Sequence, residues 1–257
     1  MFQKIKILIF ILSALAITLI YYHTNTLEVT YNRLSFSSGE RVIKIAQVSD
    51  LHSDSIGKLE NHLIDTLDKE KPDIIVITGD IATPGGDIEG YKKLISQFKA
   101  PKGVYFIPGN WEYWAPVRTL HNILNDHQII NLSNKIHKID DDLLLVGFDD
   151  TIEGKPDFNL FEKLPNKGTK IALFHSPAFF NSISEKIQLS LAGHSHGGQI
   201  RLPFIGEIAT PEGTGKYVQG LFKKGDSYLY ASRGIGTSIL PIRTFCSPEL
   251  AIFKIKY

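Results

Sequence analysis

The sequence contains almost no cysteine and no excess of charge of either sign. Its 257 residues include one cysteine, Cys246, which excludes a disulfide-stapled scaffold and a zinc site built from several cysteines. The 28 lysines and arginines balance 27 aspartates and glutamates. The chain therefore lacks the excess of positive charge that would indicate a nucleic-acid partner. Hydrophobic residues make up 43% and charged residues 21%. These are the proportions of a globular protein and exclude a disordered chain.

Long apolar runs are also absent, with one exception at the N-terminus. Residues 7–22 carry no charge and follow Lys4 and Lys6. As a helix this run spans about 24 Å, and flanking tyrosines and lysine stems extend its reach across a bilayer core of about 30 Å. We predict that residues 1–23 form a transmembrane anchor. A cleavable signal peptide is the alternative, with Ala14-Leu15-Ala16 as its cleavage site.

The two lysines before the apolar run predict its orientation. The positive-inside rule keeps Lys4 and Lys6 in the cytoplasm, which sends the chain after the anchor to the other side. We therefore expect a single-pass protein of the cell membrane whose folded domain is extracytoplasmic.

Beyond the anchor, strand patterns alternate with helix patterns. Apolar β-branched segments at 41–48, 73–78 and 104–107 are separated by segments with helical spacing at 58–71 and 91–98. This alternation predicts crossovers and a parallel or mixed sheet. Later segments are mostly strands, at 143–147, 170–174, 188–192, 228–231 and 250–255. They predict a second sheet packed on the first, within one α/β domain over residues 40–257.

Side chains that can bind metal follow five of these strands. They are Asp50 and His52, Asp80, Asn110, His175, and His194 and His196. Because ligands bind beyond the carboxyl ends of strands in open α/β sheets, we expect these side chains to meet at one rim. Asp-x-His and His-x-His spacing lets each pair chelate one ion from an extended loop. A mixture of carboxylate, amide and imidazole suits Mn²⁺, Fe or Zn²⁺ alike.

Each block alone is a weak signal, but the five in this order resemble the motifs of the calcineurin-like metallophosphoesterase superfamily. The resemblance covers about residues 42–200, and the segment Gly193–Gln199 with the anchor is similar to the YkuE-like, membrane-associated branch. It implies a four-layer α/β/β/α sandwich of two mixed sheets that holds two divalent metal ions. It also implies hydrolysis by a hydroxide that bridges the ions, without a nucleophilic side chain.

The resemblance further implies a role for each block. Asp50, His52 and His196 would bind the first ion, and Asn110, His175 and His194 would bind the second. Asp80 would bridge both ions. Asp80, Asn110 and His194 would take part in catalysis.

One residue departs from the family pattern. Trp111 stands where the family usually has a histidine that assists the leaving group. An indole cannot give up a proton, and general acid catalysis is typically worth about 10²–10⁴-fold. Substrates with weakly basic leaving groups, such as pyrophosphates, are therefore favoured.

These features predict a membrane-anchored phosphohydrolase acting on phosphoester or pyrophosphate bonds. We expect lipid-linked or nucleotide-sugar substrates. One alternative is a UDP-2,3-diacylglucosamine pyrophosphatase of lipid A synthesis, although that substrate is cytoplasmic. Another is a non-catalytic metal-binding protein, because of Trp111.

Three further residues are candidates for binding the substrate or for donating a proton to its leaving group. Arg233, just before Gly234, can neutralise a substrate phosphate. Trp111 can form part of the mouth of the site. Glu112 is either a proton donor or a charge at a helix N-terminus.

Overall fold

The structure, a computed structural model, describes residues 2–53, 55–83, 85–114 and 117–257. Its helices are α1 (Phe2–Asn25), α2 (Lys58–Glu70), α3 (Ile88–Ile95), α4 (Asn110–Trp114), α5 (Val117–Asp126) and α6 (Leu160–Lys163). Strands of the first sheet are β1 (Glu28–Ser35), β2 (Val42–Val48), β3 (Ile74–Thr78), β4 (Val104–Ile107), β5 (Ile129–Asn131) and β14 (Glu249–Lys256). Their spatial order is β1-β14-β2-β3-β4-β5, with β14 antiparallel to β2 and the run from β2 to β5 parallel.

A second sheet of six strands follows in the chain. Its strands are β6 (Lys135–Asp140), β7 (Leu143–Gly147), β8 (Thr169–Leu173), β9 (Leu189–Ala192), β12 (Gly220–Lys224) and β13 (Ser227–Ala231). The order is β12-β13-β9-β8-β7-β6, and only the two edge strands among these are antiparallel to their neighbours. A short ribbon, β10 (Arg201–Leu202) and β11 (Gly206–Glu207), lies between β9 and β12 in the chain.

The apolar core consists of three clusters of buried side chains, and β3 contributes to two of them, one on each face of the first sheet. This explains why β3 is a continuous apolar run. Its residues are all buried because alternate side chains face opposite layers. Ile74 and Val76 pack between the two sheets, against side chains such as Leu173. Ile75 and Ile77 pack beneath α2, α3 and α5.

A third cluster covers the outer face of the second sheet. It joins Val146 and Ala172 of that sheet to Leu160 of α6 and to Phe179 and Phe180 of a 3₁₀ turn. The molecule is thus a helix, sheet, sheet, helix sandwich, and the predicted four-layer fold of two mixed sheets is confirmed.

The first sheet begins before the predicted domain start at residue 40. Strand β1 pairs in parallel with β14 along its whole length, from Glu28 opposite Glu249 to Ser35 opposite Lys256. Its side chains alternate between partly buried and exposed, as expected of an edge strand. The predicted boundary therefore omits β1, in which five of the eight side chains are Glu, Thr, Asn, Arg or Ser.

The predicted anchor, residues 1–23, corresponds to α1. This helix has 24 residues, none of them buried, and it is long and apolar enough to cross a membrane. At 1.5 Å per residue its length is about 36 Å.

Candidate metal centre

The seven predicted ligands meet where the carboxyl ends of the two sheets face each other. Loops after β2, β3 and β4 carry the ligands of the first sheet, and loops after β8 and β9 carry those of the second. The ligands are Asp50, His52, Asp80, Asn110, His175, His194 and His196. All except His52 are buried as whole residues, and the side chain of His52 is only 1% exposed.

One group of ligand atoms belongs to Asp50, His52 and His196. Their ligand atoms all lie within 4.8 Å of one another. The Nε2 atoms of His52 and His196 are 3.0 Å apart, and His196 Nε2 lies 3.6 Å from Asp50 Oδ1. This spacing fits three donors around one divalent ion.

A second group consists of Asp80, His175 and His194, again with ligand atoms within 4.8 Å of one another. His175 Nε2 lies 3.1 Å from both Asp80 Oδ2 and His194 Nδ1. The same Asp80 oxygen is 3.7 Å from Nε2 of His52, which belongs to the first group. One carboxylate therefore reaches both groups.

The main chain at most of the predicted ligands adopts the left-handed conformation, which residues other than glycine rarely adopt. Five of the ligands have φ between +42° and +67°, in the left-handed region: Asp50, His52, Asp80, His194 and His196. Such residues are uncommon outside glycine, and they cluster at functional sites where surrounding contacts hold them in place. The local geometry indicates a site that the fold maintains at a cost in free energy.

Two glycines allow the loops after β3 and β4 to approach each other closely. A Cβ on Gly79, whose φ is +88°, would lie 2.5 Å from the main-chain nitrogen of Gly109. A Cβ on Gly109 would overlap Asp80 Oδ1 and lie 2.7 Å from the His175 ring. Any larger residue at either position would push ligands apart.

Several buried polar atoms at the centre have no hydrogen-bond partner among the described residues. They include Asp50 Oδ2, Asn110 Oδ1 and His52 Nδ1. An unpartnered buried oxygen is costly, and a bound cation would satisfy Asp50 and Asn110. Two carboxylates, one amide and four imidazoles form a donor set suited to Mn²⁺, Fe or Zn²⁺. The residues present therefore fit a pair of divalent ions.

Main-chain carbonyls orient two of the imidazoles. His175 Nδ1 donates to the carbonyl of Thr78 at 2.7 Å, which leaves Nε2 facing the centre. His194 Nε2 lies against the carbonyl of Glu212, which leaves Nδ1 facing the centre. Hydrogen bonds of this kind fix the tautomer of metal-binding histidines.

Burial and neighbouring charges set the protonation of the ligands. Burial lowers the pKa of His52 and of His194 to about 4, so both rings are neutral at pH 7. Burial and then the charge of Asp80 act in opposite directions on His175, and the carboxylate wins, raising the pKa of His175 to about 10. Burial raises the pKa of Asp50 to about 6, and the nearby Asp80 contributes.

Glu112 lies in the first turn of α4, which matches the predicted position of a charge at a helix N-terminus. Its carboxylate is buried and accepts N–H groups from Gly109 at 2.7 Å, Asp80 at 2.8 Å and Ile81 at 2.9 Å. It therefore ties the loop of Asp80 to the loop of Asn110. Burial and then the charge of Asp80 raise the pKa of Glu112 to about 7, whereas these hydrogen bonds lower it.

Arg243 is a positioning residue that the sequence did not indicate. Its side chain is fully buried, and Nη1 donates to the main-chain carbonyl of His196 at 3.2 Å. Nη2 lies 3.3 Å from His196 Nδ1 and donates to the carbonyl of Arg233. After burial and His52, the charge of Arg243 helps to hold the pKa of His196 well below its usual range. No local sequence pattern could have predicted this contact, because 46 residues separate Arg243 from His196.

A cavity of about 560 Å³ opens onto the centre. Its floor includes Asp80, Asn110, His194 and His196, and its walls include Trp111, Trp114, Ile200, Ile208, Ile239 and Leu240. The Trp111 ring packs edgewise on His52 with centroids 4.3 Å apart. Trp111 therefore lies in the wall of the cavity, and its contact with a substrate stays a prediction.

Arg233 is not placed for the predicted contact with a substrate phosphate. Its guanidinium pairs with Glu28 at 2.9 Å and with Glu249 at 3.5 Å, and it does not line the cavity. Two carboxylates already neutralise its charge, so the predicted role of Arg233 is not supported.

Comparison with known proteins identifies the family of the chain. The family model for calcineurin-like phosphoesterases matches residues 43–198. The uncharacterized metallophosphoesterase YkuE of Bacillus subtilis is 30% identical over 256 residues, covering 92% of this chain and 88% of that protein. An uncharacterized metallophosphoesterase of Aquifex aeolicus is 28% identical, covering 83% of this chain and 85% of the relative.

A solved structure shows the same fold. The crystal structure of TT1561 of Thermus thermophilus superposes with a TM-score of 0.51 at 14% identity, covering 76% of this chain and 90% of that one. The matched residues 43–198 include all seven predicted ligands. By the family model that it matches and by its relatives, the chain belongs to the calcineurin-like phosphoesterase family, whose chemistry is the hydrolysis of phosphoric esters.

Proposed function

We propose that the protein is a membrane-anchored phosphohydrolase that uses two divalent ions to cleave phosphoester or pyrophosphate bonds. The substrates would be lipid-linked or nucleotide-sugar phosphates, and the domain would lie outside the cytoplasm. One observation supports this most strongly: two groups of buried ligands share Asp80 at the floor of a single open cavity.

The ligand groups divide naturally between two ions. Asp50, His52 and His196 would hold one ion, and His175, His194 and the unpartnered Oδ1 of Asn110 would hold the other. Asp80 would contribute to both. When bound, such ions neutralise phosphoryl oxygens and lower the pKa of a water so that it can act as the nucleophile.

The side chains of the chain position the reacting groups. Asp80, Asn110 and His194 line the cavity floor, so a phosphoryl group bound there would rest on these three residues. His175 is held by the carbonyl of Thr78, and in the metal-free protein its proton faces Asp80. Trp111 covers the edge of His52 and keeps water from that side of the centre.

The cavity offers no obvious proton for a leaving group. Apart from the ligands, the described residues that line it carry no ionisable side chain. The leaving group of the substrate must therefore be a weak base, such as the phosphate monoester that a pyrophosphate releases. This feature favours a second candidate of the same class, a UDP-2,3-diacylglucosamine pyrophosphatase, which would release UMP. The orientation expected from Lys4 and Lys6 opposes that candidate.

Hydrolysis of bis-p-nitrophenyl phosphate tests the proposed function. The full-length protein in detergent micelles with Mn²⁺ should cleave this ester, whose leaving group needs no protonation. Changes beside metal ligands already cost about 10–100-fold. We therefore expect Asp80→Asn, which keeps the shape of the shared ligand, to lower kcat/KM by at least about 100-fold.

The matched control is Asp226→Asn, at an exposed turn between β12 and β13. It should retain the activity of the unsubstituted protein. If Asp80→Asn is as active as this control, the shared ligand has no role. If the unsubstituted protein binds Mn²⁺ and hydrolyses nothing, the protein is a non-catalytic metal-binding member of the family.

A further inference from the structure

We propose that a set of exposed apolar side chains beside the metal centre rests on the bilayer that α1 crosses. We call this set the apolar rim: Phe204, Ile205, Ile239, Leu240 and Phe245. The cavity would then open at the membrane surface, and its substrate would be an amphiphilic phosphoester whose apolar chain lies along the cavity walls. The membrane contact rests on the membrane anchor of the proposed function and not on its activity, whereas the substrate part rests on both.

The C-terminal end of α1 is fastened directly beside the metal centre. His23 Nδ1 lies 3.0 Å from the hydroxyl of Ser247. The hydroxyl of Thr24 accepts the main-chain N–H of Arg243 at 2.9 Å. Arg243 in turn donates to the carbonyl of His196, one of the ligands. The centre therefore lies two contacts away from the end of the candidate membrane span.

The apolar rim continues outward from this junction. The Phe245 ring packs on His23 of α1, with centroids 5.2 Å apart. The next segment is tied to it, because the N–H of Arg201 donates to the carbonyl of Thr244 at 3.0 Å. Arg201 begins the β10–β11 ribbon, whose turn carries Phe204 and Ile205.

A second loop joins the rim on the side of the cavity. The Gln199 side chain, next to β10, donates to the carbonyl of Leu240 at 2.7 Å. Ile239 is 88% exposed and Ile205 is 75% exposed, while Phe204 has its whole side chain outside the fold. Clusters of exposed large apolar residues on a soluble surface mark contact with a membrane or a partner.

The rim and the cavity share residues, so the apolar surface reaches the metal centre without a break. Ile239 and Leu240 belong to both, and the exposed Ile208 also lines the cavity. The described wall residues include no lysine or arginine that would bind the additional phosphates and ribose of a nucleotide. An apolar chain fits this wall better than a nucleotide, and its phosphate would arrive at Asp80.

A bilayer is the occupant that the position of α1 favours. No described residue of helix α1 is buried, and its last residues contact the protein at the rim itself. If α1 crosses a membrane, the surface around residues 23–25 must lie at the lipid interface. Apolar side chains buried in such an interface are stabilised in proportion to the area removed from water.

Quenching by lipid-borne spin labels tests the membrane contact. Full-length Ile205→Cys and Ile239→Cys would carry the fluorophore NBD, in phosphatidylcholine liposomes with or without doxyl-labelled lipid. Cys246 is buried, so the unsubstituted protein serves as the control for labelling. Leu221→Cys, at an exposed apolar position on edge strand β12, is the matched control.

We expect doxyl lipid to quench NBD at positions 205 and 239 at least twofold, with a blue-shifted emission, and to leave position 221 unchanged. If the rim positions are quenched no more than position 221, the membrane contact is refuted, whether or not the protein hydrolyses an ester. Protection of the rim only in the presence of a second protein would likewise refute it and indicate a protein partner.

Activity on two esters with the same leaving group tests the substrate. Hexadecyl p-nitrophenyl phosphate in liposomes should be cleaved with at least tenfold higher kcat/KM than soluble bis-p-nitrophenyl phosphate. The double variant Phe204→Ser/Ile205→Ser should lose this advantage and retain activity on the soluble ester, whereas Leu221→Ser should retain both. Equal loss on both esters, or none, overturns the substrate assignment. If neither ester is hydrolysed, the proposed function fails, and the quenching result still decides the membrane contact.

Discussion

Several of the predicted ligands have shifted pKa values and a left-handed main-chain conformation. Asp50 and Asp80 have left-handed main chains with φ of +50° and +53°, although neither is glycine. Conformations of this kind cost of order 1–3 kcal/mol each and persist where the surroundings hold them. The same burial that fixes the ligands shifts their pKa values, so protons and metal ions compete for them.

This competition predicts how stabilisation by metal depends on pH. Burial raises the pKa of Asp50 to about 6, above its unfolded value of about 3.9. At low pH the protonated carboxyl of Asp50 therefore stabilises the folded protein without metal. This contribution to the free energy of unfolding is lost as pH rises through about 6. A ligand must lose its proton to bind metal, and His175 adds a proton that must also leave. The increase in Tm caused by Mn²⁺ should be small at pH 5 and larger at pH 7.5.

Thermal unfolding with Mn²⁺ or with EDTA at the two pH values measures this difference. The Asp226→Asn control should follow the unsubstituted protein. An equal increase in Tm at pH 5 and pH 7.5 would show that Asp50 is not a ligand that competes for protons.

The sequence predicted which polar side chains come together at the strand ends, but not the residues that hold them in place. Asp50, Asp80 and His194 could be predicted because each closes an apolar strand, and strand ends meet at one edge. The roles of Glu112 and Arg243 depend on which loops come together, and no local pattern encodes that. The ion pairs of Arg233 were not predictable for the same reason, since its partners Glu28 and Glu249 are distant in the chain.

Among the elements, the short helix α4 couples two ligand loops. Its first residue is Asn110, and its third is Glu112, whose carboxylate accepts N–H groups from Gly109, Asp80 and Ile81. A side-chain amide has only one oxygen, and its NH₂ group would face N–H donors. The helix is therefore held to β3 through a carboxylate that glutamine cannot replace.

Glu112→Gln should lower both stability and metal affinity. Leaving a buried N–H unpaired costs about 1–3 kcal/mol, which corresponds to a decrease of roughly 2–12 °C in Tm. The displaced loops should weaken Mn²⁺ binding by about 10–100-fold. Thermal unfolding and calorimetric titration with Mn²⁺ measure the two effects.

Glu153→Gln, at an exposed position, is the control for this change and should leave both quantities unaltered. A Glu112→Gln protein with the Tm and Mn²⁺ affinity of this control would show that the carboxylate does not hold the two loops.

Strand content was predictable where both faces of a strand are buried. The continuous apolar run of β3 was evident in the sequence, as was the β7 segment Leu143–Gly147. Strand β1 was missed because one of its faces is exposed and its partner β14 lies more than 200 residues away. Edge strands defined by distant pairing carry little local signal.

At the scale of the whole molecule, the metal centre lies at the junction of the two sheets. The first sheet supplies Asp50, His52, Asp80 and Asn110, and the second supplies His175, His194 and His196. Neither sheet alone holds a complete group, so the sandwich must form before the centre exists. Helix α1 contacts the buried Arg243, which in turn donates to the carbonyl of His196, so one side chain links the helix to the predicted metal centre.

The central claim is that this junction holds two ions that share Asp80. Anomalous diffraction at the manganese edge, from crystals of the full-length protein grown with Mn²⁺, tests it most directly. We predict two peaks about 3.5–4 Å apart, one beside Asp50, His52 and His196 and the other beside Asn110, His175 and His194, both in contact with Asp80. A single peak, or two peaks without Asp80 between them, would contradict the account.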